Sequence, residues 1–215
     1  MTPSDPHANQ PLLQRGAPLD RARAALVLVH GRGASAADIL GLADELPHPE
    51  FAYLAPQAAG GTWYPNRFIA PLTSNEPWLS SALRALAGVL AKVGAAGIPP
   101  ERTVLLGFSQ GACLTLEFAA RNPRHYGGVV GLSGGLIGPD GTPRDYPGSL
   151  EGTPVLLGCS DVDFHIEVHR VHEAAAVLGR MGARVDKRIY PGMGHTINED
   201  ELEAVRAIMA RAAAA

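Results

Sequence analysis

The stretch TVLLGFSQGACLTLEFAARNP, Thr103 to Pro123, decides the fold class of this chain. Thr103–Phe108 is a short apolar run of strand length. Gly107-Phe-Ser-Gln-Gly111 follows without a linker, and Ala112 onward is apolar on nearly every face until Pro123 stops the helix. Strand, tight turn and buried helix around a Gly-x-Ser-x-Gly centre make the nucleophile elbow, in which Ser109 stands at the helix N-terminus with its hydroxyl exposed.

A second Gly-x-Ser-x-Gly, Gly131-Leu-Ser-Gly-Gly135, follows another apolar run. Its sequel is LIGPDGTPRDYPGS, whose prolines and glycines forbid a helix. Ser133 therefore ends a strand and enters a loop. It is expected to be a turn serine near the site rather than its nucleophile.

Outward from this centre the pattern repeats. AALVLV (24–29), FAYLAP (51–56), GGVVGL (127–132), TPVLLG (153–158) and ARVDKRIY (183–190) read as strands. Helices are expected at 78–93, at Ile166–Leu178, and from Asn198 to the end, where Asn-x-x-Glu offers a capping box. Short continuous apolar runs alternating with helices imply a mostly parallel central sheet with helices on both faces. Residues 1–10 read as a flexible tail, Pro11–Leu19 as a weak edge hairpin, and 11–215 as one α/β domain. In such folds the site lies at the carboxyl ends of the strands.

The bulk properties narrow the function. The chain has 215 residues, 46% hydrophobic and 18% charged, with net charge −3 and no basic block. That argues against a nucleic-acid surface and against a stable membrane anchor. The opening MTPSDPHANQP lacks the apolar core of a signal peptide, so a cytoplasmic location is expected. Cys113 and Cys159 make no disulfide framework and read as small buried residues.

A serine nucleophile needs a base and an acid. His195, in the glycine loop GMGHTI after the last strand, is the candidate base. His7, His48 and His125 read as solvated surface residues, and His30 as a structural histidine. TPVLLGCSDVDF supplies Asp161 and Asp163 just past a strand, and spacing alone does not choose between them. The oxyanion donors are assigned to the backbone N–H groups of Gln110, directly after the nucleophile, and of Arg32, in the loop HGRGA after the first long strand. Two readings remain for the Arg32 side chain: contact with an anionic substrate group, or plain solvation. His165, His169 and His172 form His-x-x-x-His-x-x-His, which on one helix face is a zinc alternative; a polar helix face is the commoner explanation, and His165 is close enough to Asp161 to line the cleft mouth.

HGRGA, APQ, GFSQGA, LSG, G-x-x-D and GMGH, in that order, resemble the phospholipase/carboxylesterase family of α/β-hydrolases, which includes the acyl-protein thioesterases. The resemblance runs from about Leu26 to Ala207. It implies an α/β-hydrolase fold without a large lid domain, and a serine carboxylesterase acting on short- to medium-chain esters through an acyl-enzyme. Acyl-protein thioesterase or lysophospholipase activity is the alternative, and a non-catalytic or metal-binding protein on this fold is a more distant one. By resemblance the nucleophile is Ser109, the base His195, and the acid Asp161, three residues after Gly158, with Asp163 as the rival. Trp63 and Tyr64, in GGTWYPNRF, are the residues expected to line the substrate site. No cofactor and no metal are implied. The implied partner is a small-molecule ester, with a homodimer left open.

Overall fold

The computed structural model describes residues 5–215. Seven strands form one sheet in the order β1-β3-β2-β4-β5-β6-β7. They are β1 (Leu12–Gly16), β2 (Ala24–Val29), β3 (Phe51–Pro56), β4 (Thr103–Phe108), β5 (Gly128–Leu132), β6 (Pro154–Ser160) and β7 (Arg184–Tyr190). Only β1 runs antiparallel, as an edge strand on β3, with Leu12 opposite Pro56 and Gly16 opposite Ala52. The remaining pairings are parallel, each with a crossover.

The strands are apolar on both faces because both faces are covered. Ala25, Val27, Val29, Leu105, Val129 and Val155 point to one layer, packed under α3 (Trp78–Ala95), α4 (Gln110–Arg121) and α5 (Val168–Arg180). Their neighbours Ala24, Leu26, Leu28, Val104, Leu106 and Val130 point the other way, onto α1 (Ala36–Leu40) and α6 (Glu199–Ala214). A short helix, α2 (Leu42–Glu45), follows α1. The strand period of two thus divides the core into halves that meet only through the sheet. The seven-stranded, mostly parallel sheet and its two helical layers are those of an α/β-hydrolase. No lid domain stands between β5 and β6, which are joined by a loop.

Sequence patterning places the strands to within about two residues, inside the usual boundary uncertainty. Three features depart from it. A capping box of Ser35 and Asp38 starts α1, a helix too short to show a periodic apolar pattern in the sequence. β6 runs on to Ser160, two residues beyond the expected end at Gly158. The expected flexible tail is ordered from residue 5, while residues 1–4 lie outside the described residues. His7 is buried: its Nε2 donates to the Trp63 carbonyl at 2.9 Å, its Nδ1 accepts from the Ala59 N–H at 3.1 Å, and its backbone N–H reaches Ser81 Oγ at 2.9 Å. His48 and His125 are half-buried against backbone groups.

α4 is the central helix, with every residue from Gln110 to Ala120 buried. Its one buried charge, Glu117, is held by Arg121 at 2.7 Å, by the Tyr146 hydroxyl at 3.0 Å and by the Ile137 N–H at 3.0 Å. A buried carboxylate is tolerable with such partners and costly without them.

Candidate active site

Ser109 sits between β4 and α4 with φ 55° and ψ −121°. A non-glycine residue held there costs about 1–3 kcal/mol and must be imposed by its surroundings. Its N–H bonds the Leu132 carbonyl at 2.9 Å, and its carbonyl accepts from the Cys113 N–H at 3.0 Å. Glycine is obligatory on both sides: a Cβ on Gly107 would strike the Gly111 carbonyl, and one on Gly111 would strike that of Val29.

Ser133 shares the left-handed conformation, with φ 53°. Its N–H bonds the Gly158 carbonyl at 2.7 Å. No helix follows it, and its hydroxyl is fully buried with no nitrogen or oxygen partner among the described residues, beside the thiol of Cys159. Ser109 is half-buried and lines a cleft of about 300 Å³ at the carboxyl ends of the strands, together with His195.

The carboxylate against His195 belongs to Asp163, which corrects the assignment of that place to Asp161. Asp163 Oδ2 lies 2.6 Å from His195 Nδ1. Its Oδ1 accepts the N–H groups of His165 at 2.8 Å and Ile166 at 3.1 Å. Burial pushes this carboxyl up, but the bond from His195 and the two backbone donors outweigh it and hold it below the usual value. Asp161 is exposed and accepts the Gly192 N–H at 2.8 Å, pinning the loop that carries His195. The displacement follows from the longer β6. With the strand running through Ser160, Asp161 opens the turn and faces the neighbouring loop, and the chain turns inward only at Asp163.

Gln110 is the first residue of α4, where a backbone N–H has no acceptor within the helix. The Arg32 N–H is not engaged by a backbone carbonyl among the described residues. Gly31 lets the Arg32 loop approach the nucleophile, since a Cβ there would lie 3.3 Å from that of Ser109. Both residues border the same cleft.

Their side chains do something that sequence could not disclose. Gln110 Oε1 accepts the Trp63 N–H at 2.9 Å, and Nε2 donates to the Tyr64 carbonyl at 2.8 Å. The Arg32 guanidinium donates to Thr62 Oγ1 and to the carbonyls of Tyr64, Pro65 and Asn66, at 2.6–3.0 Å. It is thus neither freely solvated nor loose. Trp63, expected to line the site, is instead fully buried behind it, because its indole N–H reaches the His30 carbonyl at 2.9 Å. Tyr64 does border the cleft, beside Phe68, Phe108, Cys113 and Ile166. Phe108 lies within the elbow motif and Arg67 and Phe68 within GGTWYPNRF, but neither pattern marks them as lining residues, and Ile166 lies in no motif. His30 lies fully buried under the loop, accepting the Ala58 N–H at 3.0 Å on Nε2.

The three spaced histidines diverge. His165 precedes α5 and stacks edge-on against His195, with 4.8 Å between ring centroids. His169 faces Asp140, and His172 Nδ1 accepts from Lys187 at 2.8 Å. Among the described residues no group of three metal-ligating side chains converges. Among the described residues no helix is long and apolar enough to cross a membrane.

The phospholipase/carboxylesterase family model matches residues 16–212. The chain belongs to the phospholipase/carboxylesterase family. A crystal structure of a phospholipase/carboxylesterase from Dyadobacter fermentans superposes with a TM-score of 0.90 at 43% identity, covering 94% of this chain and 97% of that one. Among curated relatives, the "Probable carboxylesterase SOBER1-like" of Arabidopsis thaliana is 29% identical over 137 residues, 62% of this chain and 52% of its own length. Acyl-protein thioesterase 1 of Gibberella zeae is 34% identical over 116 residues, 53% of this chain and 49% of its own. The chain spans about half the length of the curated relatives it matches.

Proposed function

We propose that this chain is a serine carboxylesterase that hydrolyses short- to medium-chain esters through an acyl-enzyme on Ser109. The reading rests above all on His195, which is backed by the buried Asp163 and opens onto the same cleft as the elbow serine. Asp163, as a carboxylate, accepts a hydrogen bond from the N–H of His195 Nδ1, which keeps the proton on Nδ1 and leaves Nε2 with a free lone pair. Nε2 takes the Ser109 proton as Oγ attacks the ester carbonyl, and the backbone N–H groups of Arg32 and Gln110 receive the oxyanion. His195 returns that proton to the departing alcohol. Water, deprotonated in turn by His195, then releases the acid and restores Ser109.

A second reading shares the machinery but takes an acyl-thioester. Several relatives are named acyl-protein thioesterase 1, which favours it as the alternative. Turnover of matched oxygen and thiol esters separates the two. A fluorophosphonate probe tests both at once: it is expected to label the protein at Ser109. A folded protein that stays unlabelled overturns the hydrolase reading.

A further inference from the structure

The charge distribution around the cleft points to a substrate with a negative charge of its own. The lining comprises Arg32, Arg67, His165 and His195 beside neutral and apolar groups, and no carboxylate faces the space. Asp163 is the nearest acid in the mechanism, but it is buried behind His195 with its oxygens occupied. The charge of the Arg32 guanidinium is not offset by an anion: all four of its acceptors are neutral oxygens and no carboxylate pairs with it among the described residues. It is also immobilised, so little ordering remains to be done when an anion arrives. Arg67, on the same 62–68 wall, meets Glu167 only at 3.5 Å, with both side chains about half exposed. α4 adds its partial positive N-terminus from the floor of the site. A structural brace would account for the four Arg32 bonds, but not for a second cation beside it on a wall free of acids.

We infer that the cleft selects esters in which the acyl or the alcohol half carries a carboxylate, drawn in by the charge of Arg32 and bonded by the Arg67 guanidinium while the carbonyl lies on Ser109. This deepens, and rests on, the carboxylesterase reading. Monomethyl glutarate and methyl pentanoate match in acyl length and differ in charge, and both can be followed by alkali uptake at constant pH near 8. For the natural chain kcat/KM is expected to be about fivefold higher for the anionic ester at low salt, with the ratio falling as salt screens the wall. Arg67→Glu is expected to lower that ratio about tenfold, and the ratio corrects for any general loss of activity. Calorimetric titration of Ser109→Ala with the two esters reads the same preference without turnover. A preference for the neutral ester, or a ratio indifferent to salt and to Arg67→Glu, overturns the inference and leaves the carboxylesterase reading standing. Turnover of neither ester, with Ser109→Ala still binding monomethyl glutarate over methyl pentanoate, overturns the esterase reading and supports the anionic cleft. Binding of neither ester, or equal binding of both, overturns the inference.

Discussion

Replacing Asp163 by asparagine removes a charge and leaves the shape. In the natural chain the imidazolium that forms during catalysis sits against a carboxylate whose nearest oxygen is 2.6 Å from Nδ1 and whose side chain has no exposure to water. Taking the charge centres as about 4 Å apart and an effective dielectric of about 20, their attraction is worth about 4 kcal/mol. That corresponds to about three decades in rate, because the attraction exists only once His195 has taken the serine proton. An asparagine amide also offers Nδ1 a donor as readily as an acceptor, which stabilises the wrong tautomer. Asp161→Asn should behave differently. Its Oδ1 accepts one backbone N–H, from Gly192, and an asparagine carbonyl can do the same. Initial rates on 4-nitrophenyl butyrate should give a kcat/KM about a thousandfold lower for Asp163→Asn and within about threefold of the natural chain for Asp161→Asn. The pairing argued from the structure fails if Asp161→Asn is the crippled variant, or if Asp163→Asn keeps more than about a tenth of the activity.

The other predictions concern the second serine, the N-terminal segment and one buried acid. Ser133→Ala removes a hydroxyl with no nitrogen or oxygen partner among the described residues, so ester turnover should stay within about threefold, whereas Ser109→Ala should abolish it. His7→Ala should lower urea-measured stability by about 2–3 kcal/mol, since it strands the Trp63 carbonyl and the Ala59 N–H; a loss under about 0.5 kcal/mol would mean that the segment does not pack. Burial raises the Glu201 carboxyl from 4.5 to about 7, and one of its oxygens has no partner. The folded chain therefore keeps a proton there that the unfolded chain releases. That contribution to stability is complete below pH 4.5 and is lost as pH rises through about 7. Glu201→Gln cannot lose it, so its melting temperature relative to the natural chain should climb between about pH 5 and pH 8, by at most about 3 kcal/mol of stability. A constant difference across that range would refute the assignment.

The parts of this molecule that were legible in the sequence are those written in backbone and burial. AALVLV and FAYLAP are apolar at every position because both faces of the sheet are covered, and no other placement suits them. Ser109 and Ser133 share a motif and even a backbone conformation. The segment after each tells the helix from the loop, because clustered prolines and glycines break a helix and only the segment after Ser133 carries them. The misreadings came where one or two hydrogen bonds decide. Asp161 and Asp163 differ only in how far β6 extends, and a strand end has no sharp signal. Trp63 turned inward to satisfy its indole N–H on a carbonyl thirty-three positions away, and no local pattern encodes that. His7 sits in a polar, proline-rich stretch whose composition says tail. Its ring nevertheless meets those of Trp63 and Trp78, each at 5.4 Å between centroids.

The 62–66 wall is riveted to the two residues whose amides are proposed to hold the oxyanion, Arg32 by its guanidinium and Gln110 by its carboxamide. Substrate choice on that side and rate acceleration are therefore mechanically joined. A substitution that reshapes the wall shifts the amides as well, and lowers turnover for every substrate. The side chains of Phe68 and Ile166 border the cleft too, and being apolar they make no hydrogen bond to those two residues. Divergence within this scaffold, by natural drift or in the laboratory, has its open route through those two positions.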